Sequence, residues 1–424
     1  MRILHTADWH FGKMLEGRSR LPEQELFIDE LERIVREERI DLILMAGDVY
    51  DSVNPPAAAE QLFYDALNRL SDGGKVPIAA IAGNHDHPDR LAASAPLAAK
   101  QAITLLGLPV KEAVTIPVRR TGEQAVLYGL PYPSEARLNE LLELEADERK
   151  LQQAYSERIA RLVAGGASGF RTDTVNLVMS HVFAKGGKET PDSERPIQVG
   201  GAYTVDSAAL CGVLGASGQE EDGGEDAGGQ AGLFSPASSL LLPQYVALGH
   251  LHRAQTLSAP SLVRYSGSPI AYSFSEAGHA KSVSIVEVSL GGSPLVTEIP
   301  LSSGRPLVNW KAKGGIAEVY GWLEEGRDAN AWIELDVMMT EALTMEHIHN
   351  LRKAHPGITV IRPVYPDKEE TGSFGVDRER LSVDEMFRRF YVRQTGGAEP
   401  EQELVQLFME LLQHDQNDDE EAAG

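Results

Sequence analysis

The chain has 424 residues, 42% of them hydrophobic and 24% charged, with a formal net charge of −24; at roughly 150 residues per domain it allows two to three domains with sizeable cores. Its one cysteine, Cys211, excludes an internal disulfide and a cysteine-rich zinc site, and neither a leader peptide nor a membrane-length apolar run is visible, so a cytoplasmic protein with no membrane association is expected. The negative charge argues against broad contact with nucleic acid, so DNA binding would need local patches, bound cations or a partner.

In chain order, Arg2–His5 is expected as a strand, Pro22–Arg39 as a helix with Phe27, Leu31, Ile34 and Val35 on one face, and Leu42–Met45 as a buried strand. A helix over Pro55–Leu70 and strands over Val76–Ile81, Val126–Leu130, Val175–Ser180, Tyr245–Leu248 and Ser282–Val288 follow. This alternation implies a layered α/β domain over residues 1–300. The stretch Gly215–Ser239 is rich in Gly, Ser, Glu and Asp, and is expected to be a disordered insertion. A small α+β domain is expected over 305–368, reading helix (Ile316–Glu325), strand (Ala331–Val337), helix (Thr344–His355), strand (Ile358–Pro363). C-terminal helices over 380–413 begin with a capping box of Ser382 and Glu385 and present Leu404, Leu407, Phe408 and Leu411 on one face. An acidic tail, 414–424, closes the chain. The stretches Gly212–Leu242 and Glu399–Gly424 carry five and nine acids with no Lys or Arg, so much of the negative charge lies outside the folded body.

Five short motifs carry the chemistry: DWH (Asp8, His10), GDVYD (Asp48, Asp51), GNHD (Asn84, His85, Asp86), SH (His181) and GHLH (His250, His252). Each follows an apolar, strand-like run, so five strand ends could aim Asp, Asn and His side chains at one spot. Carboxylate, amide oxygen and imidazole together suit divalent ions such as Mn²⁺, Fe²⁺ or Zn²⁺, and a pair of such ions needs a bridging carboxylate, for which Asp48 is the natural choice. The glycines before Asp48, Asn84 and His250 would let the backbone turn sharply. An Asp–x–His pair, a GD turn or a lone histidine is weak, being common in loops and cores; HxH is stronger, and GNHD is the sharpest single motif. Their joint occurrence in this order, each after a strand, is the signal.

The ordered set D-x-H, GDxxD, GNHD, H and GHxH resembles the calcineurin-type metallophosphoesterase superfamily. RILHTADWHFGK, AGDVYDSVNPP, IAGNHD, YVALGHLHRAQ and VRYSGSPIAYSFSE are more closely similar to the SbcD family, bacterial relatives of the double-strand-break repair nuclease of eukaryotes and archaea. The resemblance implies a β-sandwich flanked by helices, followed by a capping domain and C-terminal helices that dock a partner. It implies two metal ions, manganese above all, one held by Asp8, His10, Asp48 and His252, the other by Asp48, Asn84, His181 and His250. His85 would act on the substrate, its other nitrogen held by Asp86 or a backbone carbonyl. The implied function is a metal-dependent nuclease on double-stranded DNA ends and hairpins, a homodimer joined to an SbcC-type SMC-like ATPase. The competing expectation is a stand-alone phosphoesterase for nucleotides or phosphoproteins, which the C-terminal helices and capping segment disfavour. A non-catalytic scaffold is a third, and it would show a broken ligand set.

Overall fold

The apolar runs become strands of two sheets. The computed structural model describes residues 1–133, 148–194, 203–213, 241–340 and 342–365, with scattered positions between 384 and 408. In chain order, β1 (Arg2–Thr6) leads through a ribbon of β2 (Met14–Leu15) and β3 (Arg18–Ser19) to α1 (Leu21–Glu37), β4 (Leu42–Met45), α2 (Ala57–Ser71) and β5 (Ile78–Ile81). The short helices α3 (Pro88–Ala92) and α4 (Ala95–Ala98) precede β6 (Ile103–Leu106), β7 (Val114–Pro117) and β8 (Gln124–Leu130). Then come α5 (Glu148–Ala167), β9 (Val175–His181), β10 (Tyr245–Gly249), β11 (Gln255–Leu257), β12 (Leu262–Tyr265), β13 (Ser282–Glu287) and β14 (Leu295–Pro300). A final set comprises β15 (Leu307–Ala312), α6 (Ile316–Glu324), β16 (Trp332–Met338), α7 (Met345–Ala354) and β17 (Ile358–Val364).

The first sheet runs β14-β13-β1-β4-β5-β6 and the second β11-β12-β10-β9-β8-β7. In the first, β1, β4, β5 and β6 are parallel; in the second, β8, β9, β10 and β12 are parallel. Side-chain alternation along each strand divides the apolar residues between two faces. Ile3, Leu42, Leu44, Ala79 and Ile81 of the first sheet meet Leu127, Leu177, Met179 and Ala247 of the second, forming the core between the sheets. Leu4, Ile43 and Met45 face the other way, under Phe27, Ile28 and Leu31 of α1 and Leu62, Phe63 and Leu70 of α2. Val126, Tyr128 and Val178 do the same beneath Tyr155, Ile159 and Val163 of α5. The result is helix, sheet, sheet, helix, and the central strands β1, β4, β5, β8, β9 and β10 are buried on both faces, which is why their sequences are largely apolar runs.

Where the sequence suggests one sheet edge collecting five motifs, the structure has two edges. The motifs after β1, β4 and β5 belong to the first sheet, and those at the ends of β9 and β10 belong to the second. Because the sheets stack with these carboxyl ends at one side, all five converge at the top of the sandwich.

The third sheet, β15-β16-β17, is parallel and carries α6 and α7 as its crossovers, with Trp310, Ile333, Leu335 and Leu351 in its core. It opens with a strand where the sequence pattern suggests a helix first. Leu15, Phe274, Leu307 and Trp332 form a smaller cluster that seats this sheet against the main body.

The chain divides into two units, Met1–Tyr365 and Pro366–Gly424. Stretch 215–239, the Ser382–Glu385 capping box and the tail 414–424 lie outside the described residues. Within the second unit the rings of Phe387 and Phe408 stack at 4.1 Å and 13°. Among the described residues no helix is long and apolar enough to cross a membrane.

Candidate metal centre

The loop after β1 and the loop after β4 continue to pair beyond their strands. Asp8 N–H donates to Gly47 O at 3.0 Å, His10 N–H to Asp48 O at 3.0 Å, and Phe11 N–H to Val49 O at 2.9 Å. This zipper fixes Asp8 and His10 beside Asp48. Asp8, His10, Asp48 and His250 all hold left-handed backbone, with φ of 55°, 45°, 52° and 106°. For non-glycine residues such backbone costs on the order of 1–3 kcal/mol each and persists only where the surroundings impose it, a pattern concentrated at functional sites.

The glycines turn out to serve packing more than turning. Only Gly47 has positive φ, at 92°; a Cβ there would lie 2.3 Å from His181 Nδ1. At Gly83 a Cβ would lie 2.1 Å from Asp48 Oδ1, and at Gly249 it would lie 1.9 Å from Ala46 O. Each glycine lets one motif press against another.

The seven side chains expected as ligands all line one buried space. His10 Nε2 and His252 Nε2 face each other at 3.1 Å, and Asp8 lies within reach of both rings. Asp48 Oδ2 is 3.6 Å from His10 Nε2 and 3.4 Å from His181 Nε2. Asn84 Oδ1 is 2.9 Å from His181 Nε2 and 3.3 Å from His250 Nδ1. Asp48 therefore stands between an Asp8–His10–His252 group and an Asn84–His181–His250 group, where a bridging carboxylate would have to be.

Outer contacts select the ligating atoms. His181 Nδ1–H donates to Ala46 O at 2.8 Å, which turns Nε2 toward Asn84 Oδ1 and Asp48 Oδ2. His252 Nδ1 meets Ser193 Oγ at 2.7 Å and Glu276 Oε1 at 3.4 Å, again leaving Nε2 inward. Asp8 Oδ1 accepts from His250 N–H at 2.9 Å and Asp48 Oδ1 from His85 N–H at 2.9 Å, so the second oxygen of each carboxylate is the available one.

Four buried atoms of these residues, Asp8 Oδ2, His10 Nδ1, Asn84 Nδ2 and His250 Nε2, have no hydrogen-bond partner among the described residues. Buried polar atoms without partners are costly and rare. The partners of the Asp8 and Asp48 carboxylates are backbone N–H groups and imidazoles. Burial, with Asp48 adding to it, pushes Asp8 up to about 6 against the pull of His181 and His252. Burial drives His10 and His250 well below the ordinary histidine value, whereas at His181 burial is opposed by Asp48, Asp8 and the bond to Ala46, which together hold it up at about 9. The donor set, the orphaned Asp8 Oδ2 and two buried carboxylates facing imidazoles fit divalent cations.

His85 stands beside the expected ligands and groups with His10 and Asp51. Its Nδ1–H donates to Asp51 O at 2.7 Å, its ring stands edge-on to His10 at 4.8 Å, and its Nε2 is left for another partner. Asp86 does not touch it. The Asp86 carboxylate accepts from Gly83 N–H at 2.8 Å, Tyr50 N–H at 2.9 Å and Val49 N–H at 3.1 Å, so it staples the GNHD loop to the GDVYD loop. The expectation that either Asp86 or a backbone carbonyl holds His85 resolves to the carbonyl of Asp51, and the reading of Asp86 as the carboxylate that orients the acid–base residue His85 is corrected: three backbone donors engage both its oxygens.

Sequence reasoning missed Ser193, Tyr272 and Glu276. Glu276 is buried; its Oε1 accepts from Tyr272 N–H and Ser193, and its Oε2 pairs with the Lys281 ammonium. Burial would raise its carboxyl, but His252 and Lys281 hold it well below the usual range. Tyr272 and Glu276 both lie in YSGSPIAYSFSE, where neither residue type by itself signals a role behind a histidine.

Residues 1–192 match the model of the calcineurin-like phosphoesterases, and residues 303–395 match a domain described as the type 5 capsule protein repressor C-terminal domain. The SbcD subunit of the SbcCD nuclease of Bacillus subtilis (strain 168) is 51% identical over 417 residues, covering 97% of each chain. The corresponding SbcD subunit of Rhodobacter capsulatus is 32% identical over 326 residues, covering 74% of this chain and 72% of its own. A solved structure of GAP50, the anchor in the inner membrane complex of Plasmodium, overlays with a TM-score of 0.37 and 11% identity, over 71% of this chain and 84% of its own.

Proposed function

Because this chain belongs to the SbcD family of nuclease subunits within the calcineurin-like phosphoesterases, we propose that its buried Asp, Asn and His cluster holds two manganese ions and cleaves DNA at double-stranded ends and hairpins. The chain is a hydrolase of phosphodiester bonds and the SbcD-type component of an SbcCD complex with an SbcC partner. The observation that carries the two-ion reading is Asp48 standing between the His10–His252 pair and the His181–Asn84 pair.

In this reading Asp8, His10 and His252 would hold one ion and Asn84, His181 and His250 the other, with Asp48 serving both. When bound, such a pair of ions polarises the phosphoryl group and lowers the pKa of water. His85 uses Nε2 to meet charge on the phosphate or to protonate the leaving oxygen, its ring fixed by Asp51 O. Asp86 holds the loops of Asp48 and Asn84 in register. The third sheet acts as the cap over the substrate and the C-terminal helices dock the ATPase. The active form is a homodimer, working in the cytoplasm on double-stranded DNA ends and hairpins. With a net charge of −24, much of the grip on DNA then comes from the partner.

The test supplies hairpin DNA and a generic phosphodiester, in manganese, to the purified chain, to the chain with its ATPase, and to the chain truncated after Gly396 with the ATPase. Expected are hairpin cleavage by the complex and failure of the truncated chain to co-purify with the ATPase. Cleavage of the generic ester alone, with no action on DNA by the complex, would contradict the reading.

A further inference from the structure

A buried polar chain joins the third sheet to the back of the metal cluster. It begins at Trp332 in β16, whose Nε1–H donates to Glu23 Oε1 at 2.8 Å. Arg305, just before β15, donates its backbone N–H to Glu23 Oε2 at 2.7 Å and lays its guanidinium over the Trp332 ring at 4.0 Å. Glu23, in the first turn of α1, also receives both Nε and Nη2 of Arg20, at 2.7 and 2.8 Å. Its carboxylate thus has four donors, two from its own helix start and two from the third sheet.

Arg20 passes the constraint on. It is fully buried, its Nη1 donates to Ala271 O at 2.7 Å, and its guanidinium lies 6.0 Å from the Tyr272 ring. Tyr272 donates its hydroxyl to Trp9 O and stands edge-on to both His10, at 5.3 Å, and His252, at 5.8 Å. Gln24, next to Glu23 in α1, donates Nε2–H to His10 O at 2.7 Å. The first turn of α1 therefore touches the third sheet with one residue and the DWH loop with the next.

The structure assigns Glu23, Arg20 and Tyr272 as a positioning relay through which the seating of the third sheet sets the grip of His10 and His252 on their cation. This rests on the two-ion reading above. A buried Arg–carboxylate pair does not tolerate the loss of its partners, because each charge is out of water and depends on the remaining donors and acceptors. If the third sheet shifts, Glu23 loses two of its four donors. Arg20 must then reorient, and its bond to Ala271 O and its approach to the Tyr272 ring change, shifting a ring that stands edge-on to both imidazoles. None of these residues touches the substrate; they act through the ring positions of His10 and His252.

The experiment titrates manganese into the full-length chain by calorimetry, with folding checked by circular dichroism. Trp332→Phe keeps the ring under Arg305 and removes only the N–H; one of the two manganese affinities is expected to fall about fivefold, the scale of network mutations remote from a ligand. Tyr272→Leu acts at the last step and is expected to weaken the same ion by about tenfold or more, the usual effect of losing a group that orients a metal-binding histidine. Trp310→Phe is the control: its N–H is bonded to Asp328 at 2.7 Å inside the third sheet, so it perturbs that sheet without touching the relay, and both affinities should stay at the wild-type values. Unchanged affinities in folded Trp332→Phe, or an equal loss in Trp310→Phe, would overturn the relay. Fewer than two manganese ions in the wild type would instead overturn the reading beneath it.

Discussion

His10 Nε2 and His252 Nε2, 242 residues apart in sequence, face each other at 3.1 Å inside a buried space. Two imidazole lone pairs aimed at one point make sense around a shared cation. A bound ligand stabilises the folded state by mass action, by about 2.7 kcal/mol at a hundred times its Kd. Adding manganese to chelator-treated protein should therefore raise the melting temperature. In His252→Gln most of that rise should vanish, because the facing nitrogen is lost. An identical manganese-induced rise in His252→Gln would show that this pair does not hold an ion.

Gly249 offers a test by packing. An alanine Cβ there would lie 1.9 Å from Ala46 O and 2.8 Å from His181 Nδ1. Ala46 O is backbone and cannot swing aside, and it is also the acceptor that orients His181. Gly249→Ala should cost about 1–3 kcal/mol of stability and weaken manganese binding. Gly165→Ala in α5, where nothing lies within 4 Å, should be neutral or stabilising. Denaturant unfolding of both variants decides, and equal effects would contradict the packing account.

Asp86 separates a staple from an acid–base group. Asp86→Ala strands three buried N–H donors, at about 1–3 kcal/mol each, partly offset by removal of a like charge beside Asp48. The expected result is a net loss of stability together with lower metal occupancy. An unchanged melting temperature and full manganese content with slow turnover would restore the acid–base role.

His85 should behave in the opposite way. Its Nδ1 is engaged by Asp51 O, which leaves Nε2 as the nitrogen open to another partner. His85→Gln should keep both ions, the fold and DNA binding, and lose about 10²–10⁴-fold in rate. Metal content and turnover are measured on one preparation; a lost ion, or a near-normal rate, would assign His85 elsewhere.

Much of this was readable in the chain. The runs before Asp8, Asp48, Asn84, His181 and His250 are apolar because both central layers are covered on both faces, so strand positions and the motifs at their ends could be read together. What could not be read was which sheet each strand joins, since β1 and β9 carry the same kind of pattern. The glycines looked like turn residues, but Gly83 and Gly249 are small because another motif's backbone or carboxylate presses on them, a long-range contact with no local mark. Helix α5 did carry a signal, Tyr155, Ile159 and Val163 at four-residue spacing, but the sequence reading did not use it. Glu23 reads as an acid in a helix's first turn, and only the folded chain brings Trp332 to it across 309 positions.

The central claim is that Asp48 bridges two ions, and manganese bound per chain at saturation tests it most directly. Elemental analysis of the full-length protein after equilibration and desalting should give two ions per chain in the wild type and a loss at both positions in Asp48→Ala, whose missing carboxylate serves both. One ion or none in the wild type, or two in Asp48→Ala, would contradict the account.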